Sequence, residues 1–163
     1  MAVDILLDAL MGSNEAPAKR ALLDAGLADD VQAFVADGML QPFAVVQLRG
    51  SKPGAAERFR AAFEDALRAA AEQGIDRTLV EASLSRAEFV MRERDFGMAD
   101  GVALSMTALS GWLYDDEMAT TYLRYEDDFA LLRRELGTGY FERLMIDVFL
   151  ESDHWALAEV RPL

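Results

Sequence analysis

The sequence contains no cysteine and only one histidine, His154. Without cysteine, neither a disulfide nor a thiolate metal site can form in this chain. A catalytic zinc ion usually takes three protein ligands, most often histidines with a carboxylate, and no H-x-x-x-H or H-x-x-E-H spacing occurs. Asp153 precedes His154, but adjacent residues at a strand start point in different directions. We therefore predict a structural role for His154 and no metal ligand in this chain.

Lysine is almost as scarce, because Lys19 and Lys52 are the only two in the chain. The formal net charge is −13, and no lysine-rich stretch offsets it. Such a charge repels nucleic acid phosphates, so we predict no nucleic acid partner. The acidic balance is typical of a soluble surface, and attraction of basic peptides is the alternative interpretation.

Long hydrophobic runs are absent as well. No apolar run approaches the roughly 20 residues needed to span a bilayer. The first residues, Met1-Ala2-Val3-Asp4, include an acidic residue and have no basic n-region, so no signal peptide is predicted. We expect a cytoplasmic protein with no membrane partner.

Sequence motifs for catalysis are also missing. The serines have no base at a recognisable spacing and no G-x-S-x-G occurs, while the glycines form neither G-x-G-x-x-G nor a Walker loop. The acidic runs 115–117 and 126–128 lack the alternating spacing of a calcium loop, so we interpret them as helix N-caps or a solvated face. No catalytic, cofactor-binding or metal-binding residue is assigned in this chain.

The pattern of apolar residues predicts two short helices, a hairpin and then several helices. Residues 3–10 form a helix that is apolar nearly all round, so it requires cover on more than one face. Residues 16–25 form a second helix. Two strands follow at 31–35 and 43–48, and the second places Phe43, Val45 and Gln47 on one face and Ala44, Val46 and Leu48 on the other.

The remaining elements are mostly helical. A long helix begins with Ser51 as its N-cap, and Asp76 caps the next helix. Further helices are predicted at 98–113, 122–136 and 140–150, with a final strand at 155–160 that Pro162 ends. The fold class is α+β, an antiparallel or mixed sheet covered on one face by several helices. Three strands are too few for so many helices, so we expect the sheet to continue outside this chain.

Four aromatic residues, Trp112, Tyr114, Tyr122 and Tyr125, stand close together in the sequence. They either form a patch that binds peptides or pack in the helical core. Core packing is the more common role of such residues, and we expect it here.

Stretches along nearly the whole chain resemble the pitrilysin/insulinase superfamily of zinc peptidases, and within it the presequence protease branch. Residues 6–12 with 16–22 resemble that branch's helix, turn and second helix, and residues 43–50 its strand with the "lkG" turn. Residues 72–76 resemble its inter-helix break. Residues 108–116 resemble its "LGPWLYDGDP" region, except that Gly111 replaces the proline and Asp116 a glycine. Residues 153–162 resemble its closing strand "NPHRVTVVLRP".

The resemblance implies a place in a larger enzyme. Such peptidases have four homologous α+β domains that close around a peptide chamber, and zinc is held in the first by an H-x-x-E-H pair and a distal glutamate. The motif glutamate activates the metal-bound water. This chain resembles the second domain, which holds no zinc, and two strands expected before its first helix would be absent. The family's substrate-binding arginine and tyrosine lie in the fourth domain, and neither Arg161 nor Tyr140 matches them.

We therefore expect residues 1–163 to be one non-catalytic domain, a fragment of a four-domain zinc metalloendopeptidase that degrades unfolded oligopeptides. Its partners would be the other domains and the peptide substrate, and the isolated segment would be inactive. Whether the chain itself should be classed as an enzyme stays open. The alternative is a stand-alone α+β module that binds peptides or a partner without enzyme activity. An exposed sheet edge would favour dimerisation.

Overall fold

The computed structural model describes residues 1–160 of the chain. Its α-helices are α1 (Ala2–Met11), α2 (Pro17–Asp24), α3 (Ala55–Gln73), α4 (Arg77–Glu93), α5 (Asp100–Trp112), α6 (Glu126–Glu135) and α7 (Tyr140–Met145). Its strands are β1 (Asp30–Ala36) and β2 (Phe43–Arg49). Two 3₁₀ turns (Asp116–Met118 and Thr121–Leu123) follow α5, and a π-helical turn (Ile146–Leu150) continues α7. The predicted α+β class is confirmed.

The core is built around α1. Ile5, Leu6 and Leu10 are almost completely buried, and the helix contacts α2, α4, α7 and β1. A helix that is apolar nearly all round is stable in water only when several neighbours cover it. The prediction that α1 requires cover on more than one face is therefore confirmed.

The hairpin has the predicted alternation. β1 and β2 pair antiparallel, with Phe34 opposite Val45 and Ala33 opposite Val46. Alternate side chains of a strand point to opposite faces. The face that carries Ala33 and Val46 packs against the core, whereas Phe34 and Phe43 on the other face are about half exposed. Within residues 1–160, helices cover only one face of the sheet.

The start of α3 differs from the prediction. Ser51 is not the N-cap, because the helix begins at Ala55 after Gly54, whose φ of +73° is a left-handed conformation. The Lys52 N–H donates to the Leu27 carbonyl oxygen at 2.9 Å and holds this segment against the loop before β1. Asp76 does cap α4, since its carboxylate accepts from the Thr78 N–H at 2.8 Å.

The predicted helix at 122–136 is divided into a 3₁₀ turn and α6. Residues 126–128 form the acidic first turn of α6, which suits the positive end of the helix dipole. The negative charges mark a helix start, and the apolar spacing alone did not reveal it. The run at 126–128 is therefore not an N-cap, which is Tyr125, whereas in the run at 115–117 Asp115 does cap a 3₁₀ turn.

The predicted closing strand is wrong for its described part. Residues 152–160 form no strand, so the sheet within residues 1–160 has two strands. Trp155 and Leu157 are about half exposed and Val160 is almost fully exposed, so the segment gains little from packing on the sheet. Pro162, which was expected to end this strand, and Arg161 lie outside the described residues.

Ion pairs join several elements of the core. Lys19 of α2 lies 2.8 Å from Asp30 of β1, and this hydrogen bond lowers the pKa of the Asp30 carboxyl. Glu88 of α4 pairs with Arg133 of α6 and lies 2.6 Å from Arg92. The hydrogen bond from Arg133 is the largest cause of the lowered pKa of Glu88. Among residues 1–160, no helix combines the length and apolarity that crossing a bilayer requires.

Candidate binding groove

A groove of about 740 Å³ lies between β2, α3, the π-helical turn and the segment after it. Its lining combines apolar and polar side chains, as ligand sites usually do. The lining residues are Gln41, Pro42, Phe43, Ala44, Val46, Phe59, Arg60, Phe63, Glu64, Val148, Phe149, Ser152, His154, Trp155, Ala156 and Leu157. The groove therefore adjoins β2.

β2 is an edge strand in the described part of the chain. It pairs with β1 on one side, and no strand of residues 1–160 pairs with its other side. An unpaired edge presents backbone N–H and C=O groups that can pair with an extended chain. A groove lined by such a strand suits an extended peptide better than a compact small molecule.

Aromatic rings form one wall of the groove. Phe63 packs edge-on against Phe149 at a centroid distance of 6.0 Å and lies 6.2 Å from Phe59. The Arg60 guanidinium lies 3.6 Å from the centre of the Trp155 ring, a cation–π contact. This contact is one interaction that joins the segment at 152–160 to α3.

A carboxylate fixes the position of Arg60. Glu64 accepts from Arg60 Nε at 2.6 Å and from Arg68 at 2.8 Å, both one turn away on α3. These two hydrogen bonds, first that of Arg60, lower the pKa of the Glu64 carboxyl. The groove thus presents an aromatic wall with a paired ionic group at its rim.

His154 lies in this groove with an exposed side chain. Its backbone N–H donates to Ser152 Oγ at 3.2 Å. The part of the chain that the structure describes contains no group of three potential ligands that could hold a metal ion. With one histidine and no cysteine, the chain's residues do not fit a zinc site of the peptidase type.

Two serine side chains of helix α5 hydrogen-bond to the backbone of the same helix. The hydroxyls of Ser105 and Ser110 donate to the carbonyl oxygens of Gly101 and Met106, at 2.6 and 2.9 Å. Such backbone bonds are common for serine within helices. Neither hydroxyl is arranged as a nucleophile.

Residues 108–116 form the end of α5 and the turn after it. A Cβ on Gly111 would lie 2.9 Å from the Met118 carbonyl oxygen and 3.1 Å from the Tyr122 ring, so only glycine fits without displacement. Trp112 Nε1 donates to Asp116 at 3.2 Å, and Asp115 accepts from the Glu117 N–H at 2.9 Å. Gly111, which stands where the resembled sequences have a proline, therefore lies in close contact with the backbone of Met118.

The expectation that the four aromatic residues pack in the core is wrong for three of them. Trp112, Tyr114 and Tyr122 are each about half exposed. Tyr125 packs edge-on against Phe129 beside the core, as expected. The difference arises because α5 lies apart from the α1 core, which sequence periodicity cannot reveal.

Two curated proteins are similar to the chain over almost its whole length. Protein HypA of Clostridium perfringens (strain 13 / Type A) is 31% identical over 163 residues, which cover 99% of this chain and 17% of that protein. Presequence protease 1, chloroplastic/mitochondrial, of Arabidopsis thaliana is 27% identical over 168 residues, covering 99% of this chain and 16% of that protein. No protein-family model matches the chain.

The chain therefore spans about one sixth of the length of the curated relatives it matches. The similarity to the presequence protease supports a relationship at the level of the pitrilysin/insulinase superfamily and a peptidase-related segment. The resemblance inferred from the sequence phrases is confirmed to that extent.

Proposed function

We propose that this chain is a non-catalytic, chamber-forming domain of a zinc-dependent metalloendopeptidase that degrades unfolded oligopeptides. The similarity to a presequence protease along 99% of the chain is the observation that carries the proposal. Zinc would be bound in the first domain of the longer enzyme, since the ligand residues are missing from this sequence. The name of the HypA relative states no activity, so that similarity favours no particular reaction.

The groove supports a place in the wall of a peptide chamber. Its edge strand offers backbone groups, and its aromatic wall offers apolar contacts that do not depend on one peptide sequence. The proposed partners are the other domains of the same enzyme and the peptide substrate, with neither nucleic acid nor membrane. The proposed compartment is the cytoplasm.

The reading frame around the segment gives the first test. We expect an H-x-x-E-H motif upstream in the same frame, together with peptidase activity of the longer protein that is lost on chelation. The 163-residue protein should show no stoichiometric zinc by elemental analysis and no peptide hydrolysis. Stoichiometric zinc together with chelation-sensitive peptidase activity in the 163-residue protein would contradict the proposal.

The second candidate is a stand-alone module that binds peptides or a partner without enzyme activity. The groove and the unpaired edge of β2 favour it, because both exist within the described residues. A reading frame with a natural start and stop around these 163 residues would support this candidate. The same edge would favour a dimer, which sedimentation can measure.

A further inference from the structure

Helix α5 has the composition of a buried helix. Residues 101–114 are fourteen consecutive uncharged residues, and Asp100 is the only charged residue in the helix. A helix with so little polar surface normally requires cover on several sides. In the described structure α5 packs on the two 3₁₀ turns and contributes no residue to the α1 core.

The uncovered side of α5 carries a regular apolar stripe. Val102, Met106, Leu109 and Leu113 follow one another at spacings of four, three and four residues, which places them on one face. Their exposed fractions are 53%, 56%, 42% and 71%. Only Ala103 and Gly111 of the helix are buried. We call Val102, Met106, Leu109 and Leu113 the α5 stripe.

Acidic residues flank the α5 stripe in the sequence. Residues 95–128 contain eight acidic residues and one basic residue, Arg124. Asp100 has a partner, since it lies 3.6 Å from Arg94. A second copy of this chain would bring two acidic regions together, and like charges across an interface oppose association. A surface flanked by lysine or arginine is complementary to this region.

The lack of charge on α5 also indicates the kind of interface. Permanent interfaces resemble a core cut in half, and their centres are depleted in charged residues. The relatives are about six times as long as this chain, so most of each relative lies outside the similar region. A covering surface within the same polypeptide accounts for both observations.

We propose that the α5 stripe docks against an apolar surface, flanked by lysine or arginine, in another domain of the same longer polypeptide. The proposal rests on the proposed function, because it takes the covering surface from the longer enzyme. It adds the element that makes the contact and the charge of the surface that receives it.

Cysteine labelling tests the proposal, because the chain has no cysteine of its own. Met106→Cys places a thiol on the α5 stripe, and Leu131→Cys is the matched control on α6, where the side chain is 46% exposed. Maleimide labelling at each position is followed by peptide mapping in the 163-residue protein and in the longer enzyme. We expect labelling at position 106 to be about tenfold slower in the longer enzyme, because burial makes a thiol inert. Position 131 should react alike in both proteins.

A variant with fewer acidic residues tests whether the surface that covers the α5 stripe is flanked by basic residues. Asp115→Asn, Asp116→Asn and Glu117→Gln remove three charges and keep the hydrogen-bond acceptors at 115 and 116. In the longer enzyme they should raise labelling at position 106 about threefold, because complementary charges hold such interfaces together. The 163-residue protein should not respond.

The outcomes separate this proposal from the proposed function. Equal labelling at position 106 in an active longer peptidase overturns the docking proposal and leaves the proposed function standing. Protection that rises with concentration in the 163-residue protein identifies a second copy as the occupant and also overturns it. A reading frame limited to these 163 residues overturns both.

Discussion

Helices α1 and α5 are both rich in apolar residues, but their environments are opposite. Both are strongly apolar, yet six of the ten residues of α1 are buried against two of the thirteen in α5. Helices α2, α4 and α7 and strand β1 surround α1, whereas α5 packs mainly on two 3₁₀ turns. The comparison shows that apolar composition alone does not decide whether a helix is buried within residues 1–160, because the arrangement of the neighbouring elements decides it.

A pair of leucine truncations should separate the two helices most strongly. Leu10→Ala removes a fully buried side chain of α1 and should lower the free energy of unfolding by about 3 kcal/mol, because it leaves a cavity. Leu109→Ala on the α5 stripe should change it by less than about 0.5 kcal/mol, since the side chain is already exposed. Urea unfolding of both variants measures the difference, and equal losses would show that α5 is covered in the 163-residue protein.

A pair of glycine substitutions within α5 should have the next largest effect. Gly111→Ala forces a methyl group against Met118 and Tyr122 and should destabilise the contact by about 1–3 kcal/mol, as overpacking does. Gly101→Ala meets no atom within 4 Å and should stabilise the helix by about 0.5 kcal/mol. Hydrogen exchange of residues 100–123 reports both changes. Faster exchange in the Gly101 variant would contradict this account.

Removal of a carboxylate charge should lower the stability more between α4 and α6 than at α5. The difference should be smaller than for the glycine substitutions. Glu88→Gln weakens the link between α4 and α6, and we expect a loss of about 1 kcal/mol, typical of one hydrogen-bonded partner. Asp100→Asn removes the exposed pair with Arg94 and should cost less than about 0.5 kcal/mol, because surface ion pairs contribute little. Thermal unfolding at neutral pH compares the variants, and a larger loss for the Asp100 variant would reverse the ranking.

The sequence predicted element types better than their surroundings. The Asp76 cap identified the start of α4, since such a signal acts within a few residues. The side chains of the groove come from β2, α3 and the end of the chain, and no local pattern brings them together. The strand expected at 155–160 failed for a related reason, because β pairing depends on a partner that the local sequence does not specify.

Acid should produce the smallest of these effects and should act on ion pairs outside α5, including that of Glu64 on α3. The pKa values of Asp30 and Glu88 are lowered in the folded protein, first by hydrogen bonds from Lys19 and Arg133. A carboxyl with a lowered folded pKa contributes stability that is complete above its unfolded value, about 4, and is lost as pH falls through the folded value. We therefore expect the urea concentration at the unfolding midpoint to decrease at pH values below about 4. Glu88→Gln should make the urea midpoint depend less steeply on pH. Asp100→Asn, at the start of α5, is the control variant. An unchanged slope for the Glu88 variant would show that its ion pair does not hold α4 to α6.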